Sequence, residues 1–98
     1  MLEAIASPRR RDILRLVWEE ERSAGEIAGH FDVSWPAISQ NLGVLRSAGL
    51  ITERREANRR YYRADREAAG SLALVLEEMW GRDLDRLRSV VREDHKRG

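Results

Sequence analysis

The stretch "DVSWPAISQNLGVLRSAGLI", residues 32–51, carries only Asp32 and Arg46 as charged residues, in a chain where 36% of residues are charged. The usual figure is about 25%. Ile38, Leu42 and Leu45 recur at i, i+4 and i+7, the spacing that buries one stripe of an α-helix. Ser34 is placed to cap that helix, Pro36 suits its first turn, and Gly49 suits its C-terminal cap. The opposite surface then presents Trp35, Ala37, Ser39, Gln40, Asn41 and Gly43 at varying angles. Ordinary exposed helix faces in this chain use Arg and Glu. This one is uncharged but rich in hydrogen-bonding groups.

On the N-terminal side, Ser23 and Glu26 have the spacing of a capping box and open a short helix with Ile27, Ala28 and Phe31 inward. His30, at its end, reads as a partner of the helix dipole. Earlier still, Ser7 and Pro8 start a helix that buries Ile13, Leu14, Val17 and Trp18, and residues 1–6 suggest a short helix before it. On the C-terminal side, "LITERR" and "RRYYRA" read as strands joined by "EAN", with Asn58 able to take the positive φ of a tight turn. Asp65 is placed to cap a long helix with a stripe of Leu72, Leu76, Met79, Trp80, Leu87 and Val91. Its tail, "REDHKRG", is expected to fray.

The expected fold is mainly α, with a small β-hairpin wing, in a single domain over residues 1–98. Three helices precede a hairpin and a last helix. The uncharged helix spans about 35–48, the hairpin about 50–64 and the final helix about 66–92. Two short helices followed at once by a basic hairpin give the layout of a winged helix-turn-helix.

Net charge is only +1, so position decides more than the sum. Residues 54–66 hold six arginines against Glu56 and Asp65, a local balance of +4, whereas 1–22 and 77–98 are each balanced. The absence of cysteine excludes disulfides, thiolate chemistry and Cys-based zinc sites. No apolar run of about 18 residues and no leader-like N-terminus is present, so a soluble, cytoplasmic protein without membrane association is expected. Two histidines far apart, no Gly-rich phosphate loop and no paired carboxylates in an apolar setting argue against an enzyme.

A helix of this kind fits the DNA major groove, with its N-terminal residues meeting base edges. Gln40 and Asn41 are suited to adenine, Ser39 to most bases, and Ala37 to close approach or a thymine methyl. An arginine-rich wing is suited to phosphates or to a narrow minor groove. Arg54, Arg55, Arg59 and Arg60 are the candidates there, with Asn58 at the tip. Strand alternation allows only one of Tyr61 and Tyr62 to face inward, leaving the other for a phosphate; Tyr62 is carried as a DNA candidate, and Arg46 as another.

"ASPRRRDILRLV" and "SAGEIAGHFDVSWPAISQNLGVLRSAGLITERREANRRYYRAD" together resemble the ArsR/SmtB-type winged-helix repressors, over roughly residues 2–91. The resemblance implies a cytoplasmic homodimer, joined through its first and last helices, that binds an imperfect inverted repeat of double-stranded DNA in its own promoter region. It places Ser34, Trp35, Pro36, Ala37, Ser39 and Gln40 at recognition positions and Arg59 and Arg60 at the wing tip. Leu2, Leu72, Leu76, Met79, Trp80 and Leu87 are the expected interface residues. Two departures stand out: Gly43 replaces a frequent basic residue, and Trp35 a smaller or polar one.

The name-giving members hold metal through a Cys-x-Cys pair, absent from the matching "ERSAGEIAGH". A second kind of site uses Asp and His from the last helix, for which Asp83, Asp85, Glu93, Asp94 and His95 are the nearest residues. With as many bases as acids in that segment, ion pairing is the plainer account, and no metal or cofactor is expected. The effector, a small molecule or a protein, is not legible. The competing reading is a winged-helix protein-interaction module that does not bind DNA; Gly43 and the near-neutral total charge favour it.

Overall fold

The computed structural model describes residues 3–81. Helix α1 spans Pro8–Leu16, strand β1 Arg22–Ser23, helix α2 Ala24–Gly29, helix α3 Trp35–Ser47, strand β2 Ile51–Glu56, strand β3 Arg59–Ala64 and helix α4 Arg66–Ala69. A further helix, α5, begins at 71 and continues to the last described residue, 81.

The helix starts follow local chemistry. Ser7 Oγ accepts from the Arg10 amide at 3.4 Å, with Pro8 at the first position of α1. Ser23 and Glu26 form the expected capping box. Its two bonds measure 3.1 Å from the Glu26 amide to Ser23 Oγ and 3.2 Å from the Ser23 amide to Glu26 Oε1. Ser34 Oγ accepts from the Ala37 amide at 3.4 Å to open α3. That helix stops in a Schellman arrangement. Leu50 N–H donates to the Leu45 carbonyl at 3.0 Å, and Gly49 N–H to the Arg46 carbonyl at 2.9 Å. Gly49 sits at φ 78°. A side chain is strained at that angle.

Three expectations change. The sheet has three antiparallel strands in the order β1-β3-β2, so the hairpin gains Arg22 and Ser23, opposite Tyr62 and Tyr61. The final helix is not continuous from 66, because Gly70 stands at φ 58° and ψ −130° and separates α4 from α5. Those angles lie outside helical space. Residues 3–6 make a turn closed by an Ala6 to Glu3 bond of 3.3 Å, not a helix. Arg10 and Arg11 secure that turn by donating to the carbonyls of Ala4 and Ile5 at 2.6 and 2.7 Å.

The core draws on every layer. Ile13 and Leu14 from α1, Val17 just after it, Ile27 from α2, Ile38 and Leu45 from α3, and Leu76 from α5 are all fully buried, with Leu50 just before the sheet. Burying each such aliphatic side chain stabilises the fold by about 1.5–3 kcal/mol. Trp18 and Trp80 meet edge to face, 5.0 Å between ring centroids, and join α5 to the end of α1. This is a favoured arrangement of two aromatic rings. Two backbone bonds then fix the sheet's end: Ala64 N–H to the Val17 carbonyl at 2.9 Å and Asp65 N–H to the Leu50 carbonyl at 2.8 Å. The sheet therefore has one position relative to α3.

Candidate nucleic-acid interface

Burial of Ile38, Leu42 and Leu45 turns the other side of α3 outward. Ser34, Trp35, Pro36, Ser39 and Gln40 are exposed, and Ala37 is half-buried. Trp35 retains 47% of its surface, so it does not fold back into the core. Asn41 behaves differently. Its amide nitrogen donates to the Ala37 carbonyl at 3.0 Å and its oxygen accepts from Arg10 of α1 at 3.4 Å. Asn41 thus uses both ends of its amide to join α1 and α3.

Gly43 has open space around it; a Cβ placed there meets nothing within 4 Å. Beside it lies a small hollow of about 60 Å³ bordered by Ser39, Leu42, Gly43, Arg46, Arg60 and Tyr62. Tyr62 is the inward tyrosine, with its ring in the core. Its border on the hollow is all that is left for the DNA contact expected of it. Tyr61 is half-buried on the other sheet face.

Strand alternation sorts the wing into two faces. Glu53, Arg55, Arg60 and Tyr62 share the face of buried Ile51, since Glu53 pairs with Tyr62 and Arg55 with Arg60. Arg46 from α3 reaches that face and pairs with Glu53. Arg54, Glu56, Arg59, Tyr61 and Arg63 share the other. There Arg54 donates twice to Glu21, at 3.0 and 2.7 Å, and lies 4.6 Å above the Tyr61 ring. The guanidinium bond holds the Glu21 carboxyl below its usual range, and the carboxylate raises the Arg54 pKa. Arg54 therefore serves the wing's attachment, and the structure does not bring it to the α3 side.

Residues 57 and 58 form the hairpin tip. Ala57, at φ 55°, takes the positive angle expected of Asn58. Asn58, Arg59 and Arg60 face Trp35 and the start of α2 across an open hollow of about 670 Å³. Arg59 makes no ion pair among the described residues. Trp35 at the start of α3 and the wing tip thus border one concave surface, which Ser23 and Glu26 at the start of α2 also line. Glu53 and Glu21, which organise the arginines, are absent from the sequence-based candidates. A signal for Glu53 exists, because its spacing from Ile51 puts an acid on the inward strand face.

The expected interface residues divide. Leu76 and Trp80 are buried within the chain and Leu72 half-buried, so they belong wholly or partly to its own core. Met79 is exposed, together with Leu74 and Val75, which lie off the expected stripe. Leu2, Leu87 and the acidic and histidine residues from Asp83 to His95, Asp85 included, lie outside the described residues. His30 is the C-cap of α2, its backbone N–H on the Ile27 carbonyl at 3.1 Å. Among the described residues no helix is long and apolar enough to cross a membrane.

Residues 7–53 match the family described as "Bacterial regulatory protein, arsR family". The chain is 38% identical over 76 residues to the biofilm growth-associated repressor of Agrobacterium fabrum, covering 78% of this chain and 65% of that repressor. It is 35% identical to the HTH-type transcriptional regulator Rv2034 of Mycobacterium tuberculosis, over 84% of this chain and 77% of the relative. The chain belongs to the arsR family of bacterial regulatory proteins. Its winged helix-turn-helix also matches the solution structure of the homodimeric DNA-binding domain Mb0332 from Mycobacterium bovis. That match has a TM-score of 0.69 and 34% identity over 81% of this chain and 73% of that one. Within this arsR-family fold, α2 and α3 form the helix-turn-helix and β2 and β3 the wing.

Proposed function

We propose that this arsR-family chain is a homodimeric, sequence-specific transcriptional repressor that binds an inverted repeat of double-stranded DNA in the cytoplasm. The observation that carries the reading is an exposed, uncharged face on α3 beside an arginine wing, with Trp35 and Ser39 of α3 each sharing a hollow with Arg60. In this reading α3 enters the major groove, with Ser34, Trp35, Pro36, Ala37, Ser39 and Gln40 toward the bases. Arg55, Arg59 and Arg60 follow the phosphates, with Asn58 at the tip, and Arg46 and the edge of Tyr62 approach a phosphate beside Gly43. Phosphate contacts supply affinity and register, while base edges supply discrimination.

The test is a DNA-binding titration against the protein's own upstream DNA and against variants of it, over a salt series. Affinity is expected to fall steeply with salt. Gln40→Ala is expected to cost about 1–3 kcal/mol at one base-pair position and to relax preference there. Arg59→Ala is expected to weaken all sequences alike and to flatten the salt dependence by about one unit. The rival reading, a protein-interaction module, draws support from Glu53 and Glu21, which already occupy several wing cations. A purified protein with no DNA affinity at low salt decides for that rival.

A further inference from the structure

The carboxylate of Glu53 stands at the junction of α3 and the wing and is the common partner of three arginines. Arg46 Nη1 of α3 pairs with its Oε2, and the Nε atoms of Arg55 and Arg60 lie 3.5 and 3.6 Å from its Oε1. Its side chain is only 11% exposed, whereas those of the three arginines are all at least half exposed. The acid is inside the cluster and the cations are outside. Each guanidinium carries five N–H donors in a fixed plane, so engagement by one carboxylate leaves donors directed outward.

We propose that Glu53 is a specificity-determining positioning residue of the DNA interface: it fixes the orientation of Arg46, Arg55 and Arg60 and lowers the charge with which they attract any duplex. The proposal rests on the DNA-binding reading above and goes beyond it. Non-specific affinity follows the number of phosphates that cationic groups neutralise, with little demand on geometry. Specific affinity requires those groups at fixed places, so that phosphate contacts hold the reading helix in register. One carboxylate beneath three guanidinium groups acts on both quantities in opposite directions. It removes one unit of charge from the surface and orders the remainder. Because Arg46 belongs to the reading helix and Arg55 and Arg60 to the wing, the same carboxylate also ties the two reading elements to each other.

The experiment uses the full chain and two duplexes of equal length and composition. One is selected by the unaltered protein from a random-sequence library, and the other is a scrambled version. Glu53→Gln is expected to bind the scrambled duplex more tightly, with a salt slope steeper by about one unit, and to lose about tenfold in the ratio of selected to scrambled affinity. Glu53→Asp keeps the charge but shortens the arm. It is expected to hold the original slope while losing part of the ratio. Equal weakening on both duplexes with an unchanged slope assigns Glu53 a merely structural role and overturns the proposal, as does a Glu53→Gln protein indistinguishable from the original. If Glu53→Gln does not fold, Glu53→Asp decides alone, and an unchanged ratio overturns the proposal. An unaltered protein that enriches no duplex from the library, even at low salt, overturns the DNA-binding reading, and this proposal with it.

Discussion

Glu26 closes the capping box of α2, and hydrogen bonds from the Ser23 backbone and side chain hold its carboxyl below the usual carboxylate range. A carboxyl depressed in the folded state contributes stability above its unfolded pKa and loses it as pH falls through the lower folded value. Glu21, depressed by Arg54, acts in the same direction. Thermal stability is therefore expected to fall on acidification from about pH 5 to about pH 3. Glu26→Gln keeps the capping bond without titrating, so its melting temperature is expected to fall less over that range. An equal fall would place the acid sensitivity elsewhere. Legibility at this scale is uneven. Caps depend on residues three positions apart, and Ser7, Ser23 and Ser34 are all readable. Asn41 is not, because its partner Arg10 is 31 residues away and belongs to another helix. The Gln40 and Arg59 tests address the residues left on the reading surface, and the Glu53 variants the acid beneath the wing.

Elements are legible where periodicity is long. The Ile38, Leu42 and Leu45 stripe defines α3, and alternation across "LITERR" and "RRYYRA" defines the wing. Strand β1 is two residues long, too short for any period, and exists because Arg22 and Ser23 run beside Tyr62 and Tyr61. The break at Gly70 is hidden because the apolar stripe continues past it, while the positive φ is a property of one residue. At the hairpin tip, Ala57 adopts a left-handed backbone angle. Such an angle costs a non-glycine residue about 1–2 kcal/mol. Ala57→Gly relieves that strain but adds freedom to the unfolded chain. The expected net gain is about 0.5–1 kcal/mol in denaturant unfolding. A loss of stability would show that the Ala57 methyl makes a contact worth more than the strain.

For the whole molecule, α5 has two sides. Ala73, Leu76 and Trp80 complete the core, while Leu74, Val75 and Met79 are exposed by 71, 53 and 42%. We expect this apolar surface to pair with a second copy about a two-fold axis, placing two recognition helices about one DNA turn apart, ~34–36 Å. Val75→Glu combined with Met79→Glu is expected to give a monomer in sedimentation equilibrium. The folded chain is expected to survive, and affinity for a palindrome is expected to drop toward that for a half-site. A dimer that persists would move the interface off this face. The sequence makes the stripe visible but merges its two sides, since Leu72, Leu76, Met79 and Trp80 differ in which neighbours reach them, not in their own chemistry.

The interruption at Gly70 has a mechanical meaning. A continuous helix would fix the exposed apolar face of α5 to the helix-turn-helix through its own backbone hydrogen bonds. Here that chain of bonds is cut, and the angle is held by the seating of Ala73, Leu76 and Trp80, with Trp80 edge-on to Trp18. Residues 71–81 of α5 form a lever about 16 Å long, so a turn of about 10° at its base carries the far end roughly 3 Å. That displacement is close to the ~3.4 Å step between base pairs. A small repacking around the two tryptophans would therefore shift the exposed face of Leu74, Val75 and Met79 relative to α3.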